Sequence, residues 1–148
     1  MVVTGDQMAA LRAYLADDRV QHKRLLDRLG DSGTLGYQML ALGALAVAAR
    51  REFPPPDASV AVIRFVAWVR VNLLPDDLGD LDPVAAEAVL RFALGEDVPL
   101  PTDPEACFRV TILLLGILAY DEHPDEAALD GLLAEARSLA EGWLAERF

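Results

Sequence analysis

At 148 residues and 16.0 kDa the chain has the size of one domain. Its hydrophobic content of 53% beside 25% charged residues excludes a disordered polymer, and its single cysteine, Cys107, excludes an intrachain disulfide framework. The net charge of −11 is uneven: residues 1–74 carry nine Arg/Lys against seven Asp/Glu, and residues 75–148 carry four against 17, an acidic half that disfavours nucleic acid and anionic membranes as partners.

The first residues lack a basic start followed by an apolar run, so no secretory leader is expected. Thr4 and Gln7 have capping-box spacing before an apolar run, and Asp18 with Gln21 repeats it. A break at Asp17–Asp18 therefore separates two short helices within residues 1–30, and residues 34–148 form the main bundle. His22 shares helical spacing with Leu25, Leu26 and Leu29, which places it beside an apolar face. Such a histidine is expected half-buried with one hydrogen bond, in preference to acting as a titrating switch.

Ser32 to Ala49 holds no charge over 18 residues, short of the roughly 20 apolar residues a bilayer span requires. Leu35, Met39, Leu42, Ala46, Ala49 and Phe53 form one helical stripe, with Ala41, Ala44 and Ala48 on another face. The spacing predicts a central helix apolar nearly all round, whose small-residue face admits a close neighbour or a second copy of the chain. Asp57 follows three prolines and precedes Val60 to Leu74, a β-branched run that reads as helix because strand alternation fails. Asp76, Asp77, Asp80 and Asp82 then fall in a loop, read as solvated rather than as a loose cation site. Asp82 before Pro83 and Asp103 before Pro104 mark two more helix starts. Residues 108–120 are again apolar nearly all round and so are expected to be central. Leu129, Leu132, Leu133, Ala136, Leu139, Ala140, Trp143 and Leu144 give the chain its clearest amphipathic stripe. The expected fold is all-α: a single-domain bundle of six or seven helices around a central apolar helix.

Between the last two helices stand Asp121, Glu122, His123, Asp125 and Glu126, interrupted by Pro124. Five potential ligands in six residues raise a metal or catalytic site. Pro124 prevents a helix from running through and points the acids in two directions. Glu126 and Leu132 stand where a calcium-binding loop needs Gly and Glu, and no zinc-type His or Cys spacing occurs. A helix corner accounts for the residues better: His123–Pro124 matches the two Asp–Pro starts, and Asp125 and Glu126 then occupy a first turn that favours negative charge. Cys107 lies near a helix start that lowers thiol pKa values, but an inert core thiol is the better expectation. No phosphate loop, nucleophile elbow or dinucleotide fingerprint exists. The helices bearing Arg12, Arg19, Lys23, Arg24 and Arg28 also carry Asp17, Asp18 and Asp27, unlike a DNA-recognition helix.

Four stretches, VIRFVAWVR (62–70), LDPVAAEAVLRFALGE (81–96), LLLGILAYDE (113–122) and AEARSLAEGWLAE (134–146), resemble a group of small helical proteins from high-GC actinobacteria. The resemblance covers residues 35–148 and rests on core-forming helices. It implies an all-α fold in a bacterial cytoplasm and carries over no activity, cofactor or catalytic residue. The expected function is a non-catalytic protein–protein interaction or regulatory module without a cofactor, whose acidic C-terminal half meets a basic partner. Self-association is the other partner considered, with neither nucleic acid nor membrane. The alternative is a small-ligand-binding or metal-dependent helical protein using residues 121–126.

Overall fold

The structure, a computed structural model, describes residues 3–54, 58–72, 81–120 and 125–147. Among them are seven α-helices and no strand: α1 (Gly5–Leu15), α2 (Arg19–Leu29), α3 (Thr34–Glu52), α4 (Ala58–Asn72), α5 (Pro83–Ala93), α6 (Pro104–Tyr120) and α7 (Glu126–Arg147). A 3-10 turn at Asp31–Gly33 joins α2 to α3. The all-α bundle expected from the periodicity is the fold.

Side-chain caps set the helix starts. The Thr4 hydroxyl accepts from Gln7 N–H at 3.2 Å while Gln7 Oε1 accepts from Thr4 N–H at 2.8 Å, the reciprocal box its spacing predicts. Gln7 is 4% exposed, and its Nε2 donates to Gly33 O at 2.9 Å, so the cap also ties α1 to the turn before α3. Asp18, Asp82 and Asp103 accept from Gln21, Val84 and Glu105 N–H as the sequence implies. Asp57 and the loop acids Asp76, Asp77 and Asp80 lie outside the described residues.

α1 closes at the expected break, Asp17–Asp18, through a left-handed residue that is not glycine. Asp17 adopts φ 58°, Asp17 N–H donates to Tyr14 O at 3.1 Å, and Asp18 N–H donates to Ala13 O at 2.9 Å. This paired closure normally recruits glycine at the left-handed position, as Gly95 does after α5. Aspartate tolerates that backbone better than most side chains. Arg50 from α3 donates Nε to Ala93 O at 3.1 Å, satisfying a carbonyl at the end of α5.

The centre belongs to α3, as expected. Leu40, Ala41, Ala44, Leu45, Ala46 and Ala49 are fully buried, and α3 packs against α7, α6, α5 and α1. Its small-residue face is covered within the chain, with Ala41, Ala44 and Ala48 at 0%, 0% and 7% exposure, and on another side a Cβ at Gly43 would run into the backbone of Ala136 on α7. The small-residue face of α3 therefore packs against neighbouring helices of the same chain, the first of the two uses its spacing allows. α6 corrects one expectation. Among its described side chains Val110, Thr111, Leu114 and Leu115 are buried, while Ile112, Leu113, Ile117 and Leu118 are half-buried against the core. An all-round apolar helix thus lies at the side of the bundle rather than at its centre. α7 buries Leu129, Leu132, Leu133, Ala136, Ala140 and Leu144, with Leu139 and Trp143 half-buried at the stripe's edge. No helix among the described residues is long and apolar enough to cross a membrane.

Candidate functional site

The α1–α2 corner folds α2 back along α1 and sets His22 above Tyr14, with ring centroids 5.2 Å apart. Tyr37 of α3 completes the cluster: its hydroxyl lies 2.8 Å from His22 Nε2, and either group donates depending on the imidazole tautomer. Phe108 of α6 meets Tyr37 edge-on at 5.6 Å. Tyr14 crosses to α6, where its hydroxyl donates to Ile112 O at 2.5 Å and lies over Gly116, leaving no room for a Cβ. His22 is therefore half-buried with one side-chain hydrogen bond, as expected. A cleft of ≈ 530 Å³ opens beside it, lined in part by Tyr14, Asp17, Arg19, His22, Gly116 and Ala119.

Burial decides the charge of this cluster. It pushes the Tyr14 phenol up to about 12, with the Asp17 carboxylate adding to the effect. It raises Tyr37 above the ordinary phenol value, with Tyr14 as a smaller cause, and lowers His22 from 6.5. At neutral pH all three groups are uncharged. The Tyr14 hydroxyl is engaged by Ile112 O and the His22 imidazole by the Tyr37 hydroxyl, so the cluster is a set of hydrogen-bonded side chains rather than an acid–base pair poised near neutrality.

Cys107 sits in a separate groove of ≈ 430 Å³, among apolar side chains that include Leu35, Met39, Leu42, Leu100 and Phe108. Burial raises its thiol pKa, and a hydrogen bond with Thr111 offsets this only in part. The Thr111 hydroxyl, which is buried, donates to Cys107 O at 2.8 Å. A protonated, half-buried thiol is a weak nucleophile.

At the corner before α7, Asp121, Glu122 and His123 lie outside the described residues. Asp125 and Glu126 are described, and both serve the helix start. Asp125 Oδ1 accepts from Ala128 N–H at 2.8 Å, which makes Asp125 the cap, and Glu126 is the exposed first residue of α7. The helix starts two residues later than the His123–Pro124 alignment implies, because a carboxylate caps better than an imidazole. Among the described residues no group of three or more His, Cys, Asp or Glu is placed to hold a metal ion.

The Tyr14–His22–Tyr37 grouping was not foreseen. The available signal was two tyrosines within otherwise apolar helical stripes, since a buried phenol needs a hydrogen-bond partner. Gly116, isolated inside an apolar helix, was a second signal of close approach. Comparison of the chain with protein-family models, with curated proteins and with solved structures yields no match.

Proposed function

We propose that the chain is a non-catalytic protein-interaction module whose acidic C-terminal half engages a basic partner. One observation carries this: the acids of that half stand in solvent. Of the 12 acidic residues described between 81 and 147, ten are exposed. Only Asp130 and Glu141 pair with an arginine among the described residues. On α7 Glu126, Asp130, Glu135 and Glu146 are all exposed, Glu126 and Asp130 along one flank of the buried stripe and Glu135 and Glu146 along the other. Such a surface attracts basic proteins over a Debye length of about 8 Å at physiological salt.

Affinity purification with the intact protein, at low and high salt, tests the proposal. A basic protein retained at low salt and released at high salt is expected. Retention should be lost in Glu126→Lys with Glu135→Lys and Glu146→Lys, changes at exposed positions that leave the core intact. Recovery of no partner at low salt, or of one indifferent to salt, overturns the reading.

The ≈ 530 Å³ cleft favours a second reading, a small-ligand-binding or metal-dependent helical protein, because its wall includes Ala119, two residues before Asp121. Thermal-shift measurements against divalent metals and metabolites separate the two. A specific stabilisation lost in Asp121→Ala with His123→Ala supports the second reading, and no shift with any metal ends its metal-dependent form.

A further inference from the structure

α4 is apolar on two sides, and the bundle uses one of them. Val62, Val66 and Val69 turn inward at 0%, 1% and 0% exposure. On the opposite side Val60, Ile63, Trp68 and Val71 stand 51%, 47%, 50% and 81% exposed, with Ala67 exposed among them. Positions 60, 63, 67, 68 and 71 lie on one helical face that runs for three turns. Single exposed apolar residues are ordinary on any protein, but a stripe of them with a half-exposed tryptophan is the pattern of a helix that docks.

We propose that this face of α4 binds an amphipathic helix of another protein, one that carries carboxylates beside its apolar stripe. Charge complementarity selects that occupant. From Ala58 to Asn72 the helix holds Arg64 and Arg70 and no acid, in a chain of net charge −11. Arg64 shares the stripe with Val60 and Trp68 at i−4 and i+4, while Arg70 borders its other edge beside Ile63 and Ala67. Among the described residues neither arginine has an ion-pair partner. Ala67, small and central, lets a facing helix approach closely.

A second copy of the chain fits this face less well. A two-fold axis pairing α4 with itself about its midpoint sets the two Arg64 side chains on the same side of the seam, within about one turn of each other. No acid in Ala58–Asn72 neutralises them. An anionic membrane also fits less well: it is an extended plane that meets the acidic surface too, whereas a helix covers only the footprint of α4. The inference stands independently of the acidic half proposed above.

Fluorescence anisotropy at physiological salt tests it on the full chain, with two labelled helical peptides of about 18 residues. Both carry the same leucine stripe, flanked by Glu in one and by Gln in its twin. The Glu peptide is expected to bind about threefold or more tighter than the Gln twin. Ile63→Asp with Val71→Asp should weaken it about tenfold or more without moving the melting temperature, since both side chains are exposed. Arg64→Glu with Arg70→Glu should abolish the preference for Glu over Gln, which serves as the second variant if the first perturbs the fold. Failure of both peptides to bind, equal binding of the two, or binding that survives Ile63→Asp with Val71→Asp overturns the proposal. So does a dimer seen by sedimentation equilibrium without peptide and lost in that variant, which assigns the face to a second copy. Co-sedimentation with phosphatidylglycerol vesicles in preference to the Glu peptide assigns it to a membrane and equally overturns it.

Discussion

Gly43 and Ala136 meet where α3 crosses α7, and the contact is so close that a Cβ at position 43 would strike backbone rather than a movable side chain. Gly43→Ala should therefore destabilise the fold by about 3 kcal/mol, at the upper end of overpacking costs. Gly131 and Gly142 on α7 face open space, so Gly131→Ala and Gly142→Ala should each stabilise by about 0.5–1 kcal/mol through helix propensity. Urea denaturation of the three variants measures both directions, and a neutral Gly43→Ala would contradict the crossing. His22 supplies a pH dependence with a definite sign. Burial holds its folded pKa below 6.5, so as pH falls through that value the unfolded chain takes up the proton first. Its contribution to stability is complete above 6.5 and is lost between 6.5 and the lower folded pKa. Denaturation midpoints measured from about pH 5 to pH 8 should show this slope in the parent protein and a smaller one in His22→Gln, which retains a polar partner for Tyr37. The tyrosines act at the other end of the scale. Tyr14 has its folded pKa at about 12 against an ordinary 10.0, so stability is complete below 10.0 and falls as pH rises through that window. Tyr14→Phe should flatten the alkaline loss while giving up the hydrogen bond to Ile112, which costs about 1 kcal/mol at neutral pH.

Helix starts in this chain are written in short polar side chains, and α7 shows how the choice between neighbours is made. Asp125 and His123 flank Pro124, and the carboxylate takes the cap on Ala128 N–H. Asp125→Ala should cost about 1 kcal/mol of stability. His123→Ala leaves that hydrogen bond in place and should cost less, and thermal melts of the two variants compare them directly. A larger loss at His123 would return the imidazole to the role its sequence position suggested. α4 makes the complementary point about faces. Its apolar residues fill every side of the helix, yet it packs on α5 with one side only, and Phe65 meets Phe53 edge-on at 5.3 Å. An all-round apolar helix is thus not by itself a central one. α3 is buried because four helices surround it, and α4 is half-exposed because no helix among the described residues is placed against its outer side.

Across the whole molecule, attraction between charges is sparse and repulsion is extensive. The ion pairs among the described residues are Arg12–Asp130, Arg19–Asp17 and Arg137–Glu141, each with at least one solvent-exposed partner. Exposed pairs contribute about 0–1 kcal/mol each. Against them stands a net charge of −11, concentrated in residues 75–148. Salt weakens both, and here the repulsion is the larger effect. Raising NaCl from about 10 mM to about 300 mM should therefore raise the melting temperature, as read by calorimetry. A fall would mean that the few pairs outweigh the repulsion of the acidic half. The same surface is the one proposed to meet a basic partner, so solubility and binding draw on one feature.

Local chemistry was legible in the sequence. The Thr4–Gln7 box, the Asp18, Asp82 and Asp103 caps, the break at Asp17–Asp18 and the α7 stripe each depend on residues within a few positions of one another, and each stands where the spacing put it. Residues that meet across the bundle were not legible. Tyr14, His22, Tyr37 and Gly116 come from α1, α2, α3 and α6, and no periodicity within one helix encodes which of its sides faces which neighbour. For the same reason the spacing of Ala41, Ala44 and Ala48 on α3 is compatible with a neighbouring helix or a second copy, and it is their burial in the bundle that places a neighbour of the same chain there. Hydrophobicity fixes that a face is buried or docks, but only the packing of helices distant in sequence decides between the two. For α3 it chose burial. For the outer side of α4 it left the face in solvent.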